Sequence, residues 1–201
     1  HGESKYIDCM ERTLYNGVIS GMSMDGGRFF YPNPLSSDGK YKFNADGNTT
    51  RQPWFGCACC PSNLCRFIPS VPGYLYGVKD NNIYVNLFAG NTSTIKVNGK
   101  DVVLEETTEY PWNGDIKIAV KKSGVKNANL LVRIPGWVRN QVVPSDLYKY
   151  SDAEKPAYTV TVNGKAVEAD LDANKGYLPV KNIKKGDVIR IHFDMPVRTV
   201  V

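Results

Sequence analysis

Thr94-Ile95-Lys96-Val97-Asn98-Gly99-Lys100-Asp101-Val102-Val103-Leu104 decides the fold class. A β-branched run enters Asn98-Gly99, the strongest short-range signal for a two-residue type I′ hairpin, and a second such run leaves it. Outward from this hairpin the same grammar repeats. Strands are expected at 74–78 and 83–88, joined by Asp80-Asn81-Asn82, then at 94–97, 102–108, 116–121 and 130–134. Three more follow at 158–162, which meets a second Asn-Gly at Asn163-Gly164, and at 177–180 and 188–193. Short, evenly spaced strands with turn residues between them predict an antiparallel β-sandwich. The repeated Val-Asn-Gly-Lys at Val97 and Val162 reflects common turn chemistry rather than duplication.

Before Val71-Pro72-Gly73 the pattern differs, which places a boundary there: residues 1–72 with helices, residues 73–201 as the sandwich. Residues 5–20 read as an amphipathic helix with Tyr6, Met10, Leu14 and Ile19 on its apolar side and Glu11, Arg12 and Asn16 opposite. Gly17 and Gly21 weaken its end. Residues 22–56 form a long irregular loop with a short aromatic strand at 28–31, and loops of this length in compact domains are commonly functional.

The 201 residues carry 25 basic and 20 acidic side chains, with no block of five or six like charges, which argues against a nucleic-acid partner. No apolar run reaches the ~20 residues of a membrane span. A hydrophobic content of 42% is enough for a sizeable core. The start at His1 has no signal peptide and no initiating Met, so the true N-terminus is expected upstream.

The chemistry concentrates in Trp54-Phe55-Gly56-Cys57-Ala58-Cys59-Cys60-Pro61-Ser62-Asn63-Leu64-Cys65, which holds four of the five cysteines. Residues 61–68 read as a helix with Pro61 at its first position, which puts Cys59 and Cys60 at the N-terminus. The helix dipole favours an anion there and lowers a thiol's pKa. Three readings compete. One is a disulfide between Cys57 and Cys60, or to Cys9 or Cys65. The second is a zinc site, although Cys57, Cys59 and Cys60 do not easily close a four-ligand shell and neither His1 nor His192 completes it. The third is a nucleophilic cysteine, for which a metal is a better activator than an absent histidine.

At these residues the chain resembles the β-L-arabinofuranosidases of glycoside hydrolase family 127. Asp8-Cys9-Met10-Glu11-Arg12-Thr13-Leu14-Tyr15-Asn16-Gly17 is similar to that family's Glu-Arg…Asn-Gly helix. Phe29-Phe30-Tyr31-Pro32-Asn33-Pro34-Leu35 resembles its aromatic-Tyr-x-Asn-Pro-Leu segment, with Pro32 where an aliphatic residue is usual. The run from Trp54 to Asn63 resembles its cysteine motif, which is the most specific of the set, and Arg133-Ile134-Pro135-Gly136-Trp137 its β-domain strand end.

The resemblance implies a fragment of a retaining glycosidase: the last helices of an (α/α)6 barrel followed by a β-sandwich. By it, Cys59 is the nucleophile and a zinc ligand, Cys60 a further zinc ligand, and Tyr31 a substrate-contacting residue. The implied cofactor is zinc, with a Glu and a Cys as its other ligands. Those two and the general acid/base glutamate are expected upstream, in a helical barrel missing from this chain. Glu3 takes no such role, because Lys5 stands where the ligand cysteine belongs. The chain ends soon after Met195-Pro196-Val197, before the family's next strands. The implied substrate is a terminal β-L-arabinofuranose, or a related furanoside, on a plant glycan or glycoprotein. These 201 residues alone are expected to be incomplete and inactive. The alternative is a non-catalytic β-sandwich module that packs on a catalytic domain or binds carbohydrate. A zinc thiolate suits reducing conditions and metal ligation protects it elsewhere, so the cysteines select neither cytoplasm nor periplasm.

Other residues have plainer readings. Trp54 and Phe55 serve either a sugar subsite or the core. Trp112 and Trp137 read as core or interdomain residues, Cys9 and Cys65 as buried small hydrophobes, and His192 as a strand residue on a polar face.

Overall fold

The computed structural model describes residues 2–201; His1, set aside above as a zinc ligand, lies outside them. The chain divides into two compact units, residues 10–73 and residues 1–9 with 74–201.

Among its described residues the larger unit has ten strands: β1 (Tyr76–Lys79), β2 (Asn82–Val85), β3 (Asn91–Val97), β4 (Lys100–Thr108), β5 (Asp115–Ser123), β6 (Asn129–Arg133), β7 (Tyr158–Val162), β8 (Lys165–Ala166), β9 (Tyr177–Val180) and β10 (Val188–Phe193). Their order is β1-β2-β6-β9 in one sheet and β3-β4-β5-β10-β7-β8 in the other. Both Asn-Gly pairs have positive φ at each residue (48° and 76°, 52° and 81°), as a type I′ turn demands. The second closes onto β8, a two-residue strand the sequence reading missed.

The strands alternate as a half-buried sheet should. In β5, Ile116, Ile118 and Val120 are buried while Asp115 and Lys117 point outward. Ile83, Val85, Leu130, Val132 and Leu178 of the smaller sheet share one core with Leu104, Ile118, Ile189 and Ile191 of the larger. Each such side chain stabilises the sandwich by about 1.5–3 kcal/mol through the apolar surface it removes from water.

The expectation of a purely antiparallel sandwich needs correction, because β2 and β6 run parallel, with Ile83 opposite Leu130. Parallel neighbours need a crossover, and here β3, β4 and β5 of the opposite sheet supply it.

The first helix, α1 (Ser4–Thr13), is shorter than the expected 5–20. A π turn over Leu14–Val18 and a 3-10 turn over Ile19–Gly21 follow it. Asn16 donates to the Arg12 carbonyl and Ser20 to the Asn16 carbonyl, which offers the backbone alternatives to a regular α ladder. Burial on this segment also differs from the amphipathic reading. Ser4 and Glu11 are buried, whereas Tyr6 and Ile19 of the apolar side are exposed. Cys9, expected to be buried, is exposed. No helix among the described residues is long and apolar enough to cross a membrane.

Candidate active site

The unit of residues 10–73 carries the cysteine cluster. Its second helix, α2 (Cys59–Phe67), begins two residues before the expected start, so Cys59 and Cys60 are its first two residues and Pro61 its third. Pro61 still costs no hydrogen bond, because the first four N–H groups of a helix have no intrahelical partner. Ala58 precedes the helix without a side-chain cap, while Ser62 Oγ and Asn63 Nδ2 both donate to the Cys59 carbonyl at 2.9 Å.

The irregular loop reaches this helix end with Tyr31. The expected strand at 28–31 does not form; only Phe29 is bridged, to Met22 and Gln52. A strand needs a longer partner than the two N–H···O bonds between Phe29 and Gln52 provide. Instead, side chains hold the loop. Asn33 Nδ2 donates to the Gly17 carbonyl at 2.8 Å, and Arg51 donates to the Ser20 carbonyl at 2.6 Å while covering the Phe30 ring. The Tyr31 N–H donates to Asn44 Oδ1 at 2.7 Å, and the Tyr31 ring sits edge-on to buried Phe55.

The outcome is a short contact between Tyr31 Oη and Cys59 Sγ, 2.7 Å apart. Cys60 Sγ lies 3.7 Å from Cys59 Sγ. The hydrogen bond from Tyr31 lowers the Cys59 pKa, Cys60 lowers it further, and backbone N–H groups at the helix start add to the effect. The reciprocal effects follow: the bond to Cys59 pushes Tyr31 up to about 12, and Cys59 raises the pKa of Cys60. Donation from the Tyr31 hydroxyl thus favours the charged form of the Cys59 sulfur. A thiol whose charged form is favoured at an exposed helix N-terminus can act as a nucleophile or as a metal ligand.

None of Cys57, Cys59, Cys60 and Cys65 forms a disulfide. Two thiolates on one tetrahedral zinc, each at about 2.3 Å, are about 3.8 Å apart. The separation of the Cys59 and Cys60 sulfurs fits that span. No group of three or more His, Cys, Asp or Glu residues that could hold a metal occurs among the described residues, so these two thiols would make half a shell.

The other candidates separate. Trp54 is half-exposed with its ring against Phe29, while Phe55 belongs to the interior. Cys65 is exposed, a correction to its expected burial, because it faces outward from α2. Trp112 is 89% exposed, so it is no core residue of the β unit, whereas Trp137 packs against Phe193 at the core's edge. His192 stands on the outer face of β10 between Asp115 and Asp194. Asn44 escaped the sequence reading; an Asn just before Ala45-Asp46-Gly47 looks like ordinary turn chemistry, and only its burial at 3% exposure marks it out.

Two family models match the chain. Residues 1–73 match the one described as the catalytic domain of GH127 β-L-arabinofuranosidase, and residues 82–195 the one described as the GH127 middle domain. The non-reducing end β-L-arabinofuranosidase of Bifidobacterium longum subsp. longum is 31% identical over 208 residues, covering 98% of this chain and 28% of that protein. A solved structure of a GH127 β-arabinofuranosidase has a TM-score of 0.90 at 56% identity, covering 100% of this chain and 30% of that one. A GH127 β-L-arabinofuranosidase from Geobacillus stearothermophilus T6 has a TM-score of 0.76 at 36% identity, covering 97% of this chain and 29% of its own. The chain thus spans under a third of the length of these relatives.

Proposed function

This chain belongs to glycoside hydrolase family 127, and we propose that it supplies the nucleophile of a retaining glycosidase acting on terminal β-L-arabinofuranosides. The active enzyme would be a longer polypeptide in which residues 1–72 end an (α/α)6 barrel and the sandwich follows. The observation that carries the reading is the Tyr31–Cys59 contact at the start of α2.

In the first step the Cys59 sulfur attacks the anomeric carbon with its lone pair. The glycosidic C–O bond breaks, and the leaving oxygen takes a proton from a carboxylic acid outside this chain. The product is a thioglycoside on Cys59. In the second step water attacks the same carbon, the carboxylate accepts the water's proton, and the C–S bond breaks to return the thiolate. Two inversions give net retention. Tyr31 has a defined part at both ends of this cycle. Its hydroxyl donates to sulfur when the sulfur is charged, and it releases that bond to the sugar when the sulfur is alkylated. Trp54, half-exposed nearby in sequence, is proposed to line the sugar subsite with its apolar face.

Cys59 and Cys60 are proposed to hold zinc, together with two ligands from polypeptide outside this chain. What the ion supplies when bound is positive charge beside the sulfur, which keeps the thiol deprotonated at neutral pH.

The test is to measure bound zinc, and hydrolysis of an aryl β-L-arabinofuranoside, in this chain and in a polypeptide extended upstream. The extended protein is expected to bind zinc and turn over, and Cys59→Ser is expected to abolish turnover. Normal turnover by the Cys59→Ser variant would sink the nucleophile assignment. Zinc-free, active protein would remove the metal from the proposal.

A further inference from the structure

We infer that Asn44 is a positioning residue for the Cys59 sulfur: it fixes the Tyr31 backbone and thereby places the Tyr31 hydroxyl against that sulfur. The inference rests on the reading of Cys59 as the reactive thiol and adds a residue to its support.

Asn44 is one of the few buried polar side chains among the described residues, 3% exposed. Its amide is used from both ends. Oδ1 accepts from the Tyr31 N–H at 2.7 Å and from the Ala45 N–H at 3.1 Å, while Nδ2 donates to the Thr50 carbonyl at 2.8 Å. Its backbone N–H donates to the Asn48 carbonyl at 2.9 Å. One side chain therefore joins the segment carrying Tyr31 to the turn over Ala45–Gly47 and to the strand-like stretch before Gln52.

That junction matters because the loop has little else to hold it. Around Tyr31 the backbone has the Phe29–Gln52 pair and a Phe30 N–H to the Gly21 carbonyl, but no ladder that continues through Tyr31. The Asn44 side-chain oxygen takes the N–H that a ladder would have paired. At the other end of the residue the ring is set edge-on against Phe55, with centroids 5.5 Å apart. Backbone and ring are thus fixed by different neighbours, and the hydroxyl is delivered to one place, 2.7 Å from Sγ.

The residue type follows from the bonds. Asp accepts both N–H groups but has no donor for Thr50. Leu or Ala takes the side-chain partner from the Tyr31 and Ala45 N–H groups and from the Thr50 carbonyl in a partly buried place. An uncharged amide offers no acid or base to a reaction, so its part is placement.

The test is a double-mutant cycle on the 201-residue chain, treated with chelator. The readout is the rate of Cys59 alkylation by iodoacetamide at pH 7, resolved from the other cysteines by fragment-ion mass spectrometry. Tyr31→Phe and Asn44→Ala are each expected to slow Cys59 by about three- to tenfold, the size of one lost hydrogen bond, and to leave Cys65 unchanged. The double variant is expected to be no slower than Tyr31→Phe alone, because Asn44 acts through Tyr31. Slowing by the product of the two single effects overturns the inference, as does a folded Asn44→Ala protein with the parental Cys59 rate. Should Asn44→Ala fail to fold by circular dichroism, Asn44→Asp carries the test. It keeps both accepted N–H bonds, so its Cys59 rate is expected within about twofold of the parent. A folded Asn44→Asp protein as slow as Tyr31→Phe overturns the inference. Neither sugar nor zinc enters this readout, so its failure is distinct from failure of the glycosidase reading.

Discussion

Asp8 and Arg133 are held 2.7 Å apart, 125 positions distant in sequence, and the Arg133 side chain has no exposure to solvent. The guanidinium also donates from Nε to the Asn86 carbonyl at 2.6 Å and lies over the Phe88 ring. Arg139 reaches the second oxygen of Asp8 at 3.5 Å and Ser4 Oγ at 2.9 Å. This network packs the first residues of the chain with the sandwich. Asp8→Ala takes a carboxylate away from this buried guanidinium, and removal of one member of a buried ion pair costs up to about 3–5 kcal/mol. Urea unfolding is expected to show a loss of that order, and a loss under about 1 kcal/mol would contradict the network's importance.

Glu106 predicts how the sandwich responds to pH. It is 2% exposed and accepts from the Tyr76 hydroxyl at 3.0 Å and the Ala89 N–H at 3.2 Å. Burial pushes its pKa up from 4.5 to about 7, and the hydrogen bonds offset only part of that. The folded state therefore holds a proton that the unfolded chain has lost. The stabilisation is fully present below about pH 4.5 and disappears as pH rises through about 7. Glu106→Gln keeps an acceptor for Ala89 and removes the charge. At pH 8 it is expected to be more stable than the parent by up to about 3 kcal/mol, with little difference at pH 5. Parallel stability curves for the two proteins across this range would refute the assignment.

The strands were legible in the residues because their information is local. Asn98-Gly99 and Asn163-Gly164 dictate their own φ values, and Ile116, Ile118 and Val120 announce a face by spacing alone. The pairing of β2 with β6 was not legible, since nothing near Ile83 names Leu130 as its neighbour. The helical segment misled for a related reason. Apolar spacing over residues 5–20 marks a face that can be covered, but among the described residues Tyr6 and Ile19 stay exposed. At the site, the resemblance of the cysteine run pointed to Cys59 and Cys60, and that of the aromatic segment to Tyr31. The bond that joins Tyr31 to Cys59 spans 28 positions and depends on Asn44, whose role no motif carries.

Gly114 marks a close approach of two backbone segments. A Cβ built there would lie 1.9 Å from the Phe193 carbonyl oxygen, and the Gly114 carbonyl accepts the Phe193 N–H at 3.1 Å. Backbone cannot swing aside as a side chain can. Gly114→Ala is expected to lower stability by about 2 kcal/mol or more, measured as a drop in Tm. An unchanged Tm would show that the strand end is looser than described.

Trp112 makes the opposite prediction. At 89% exposure it adds almost nothing to the core of the β unit. Trp112→Ala is expected to change the stability of the 201-residue chain by no more than about 0.5 kcal/mol. A large loss would restore the core reading of this side chain.

The parallel seam between β2 and β6 has a consequence for how the sandwich assembles. Asn82 and Asn129 meet across it 47 positions apart, and the residues between them build half of the opposite sheet. The strands of the two sheets interleave along the chain, so a break anywhere between β3 and β9 leaves neither sheet whole. The entropy of closing that span must be met before the seam contributes anything. Such a topology acquires its native contacts late and together, and a ribosome-bound chain lacking β9 and β10 would still be waiting to fold.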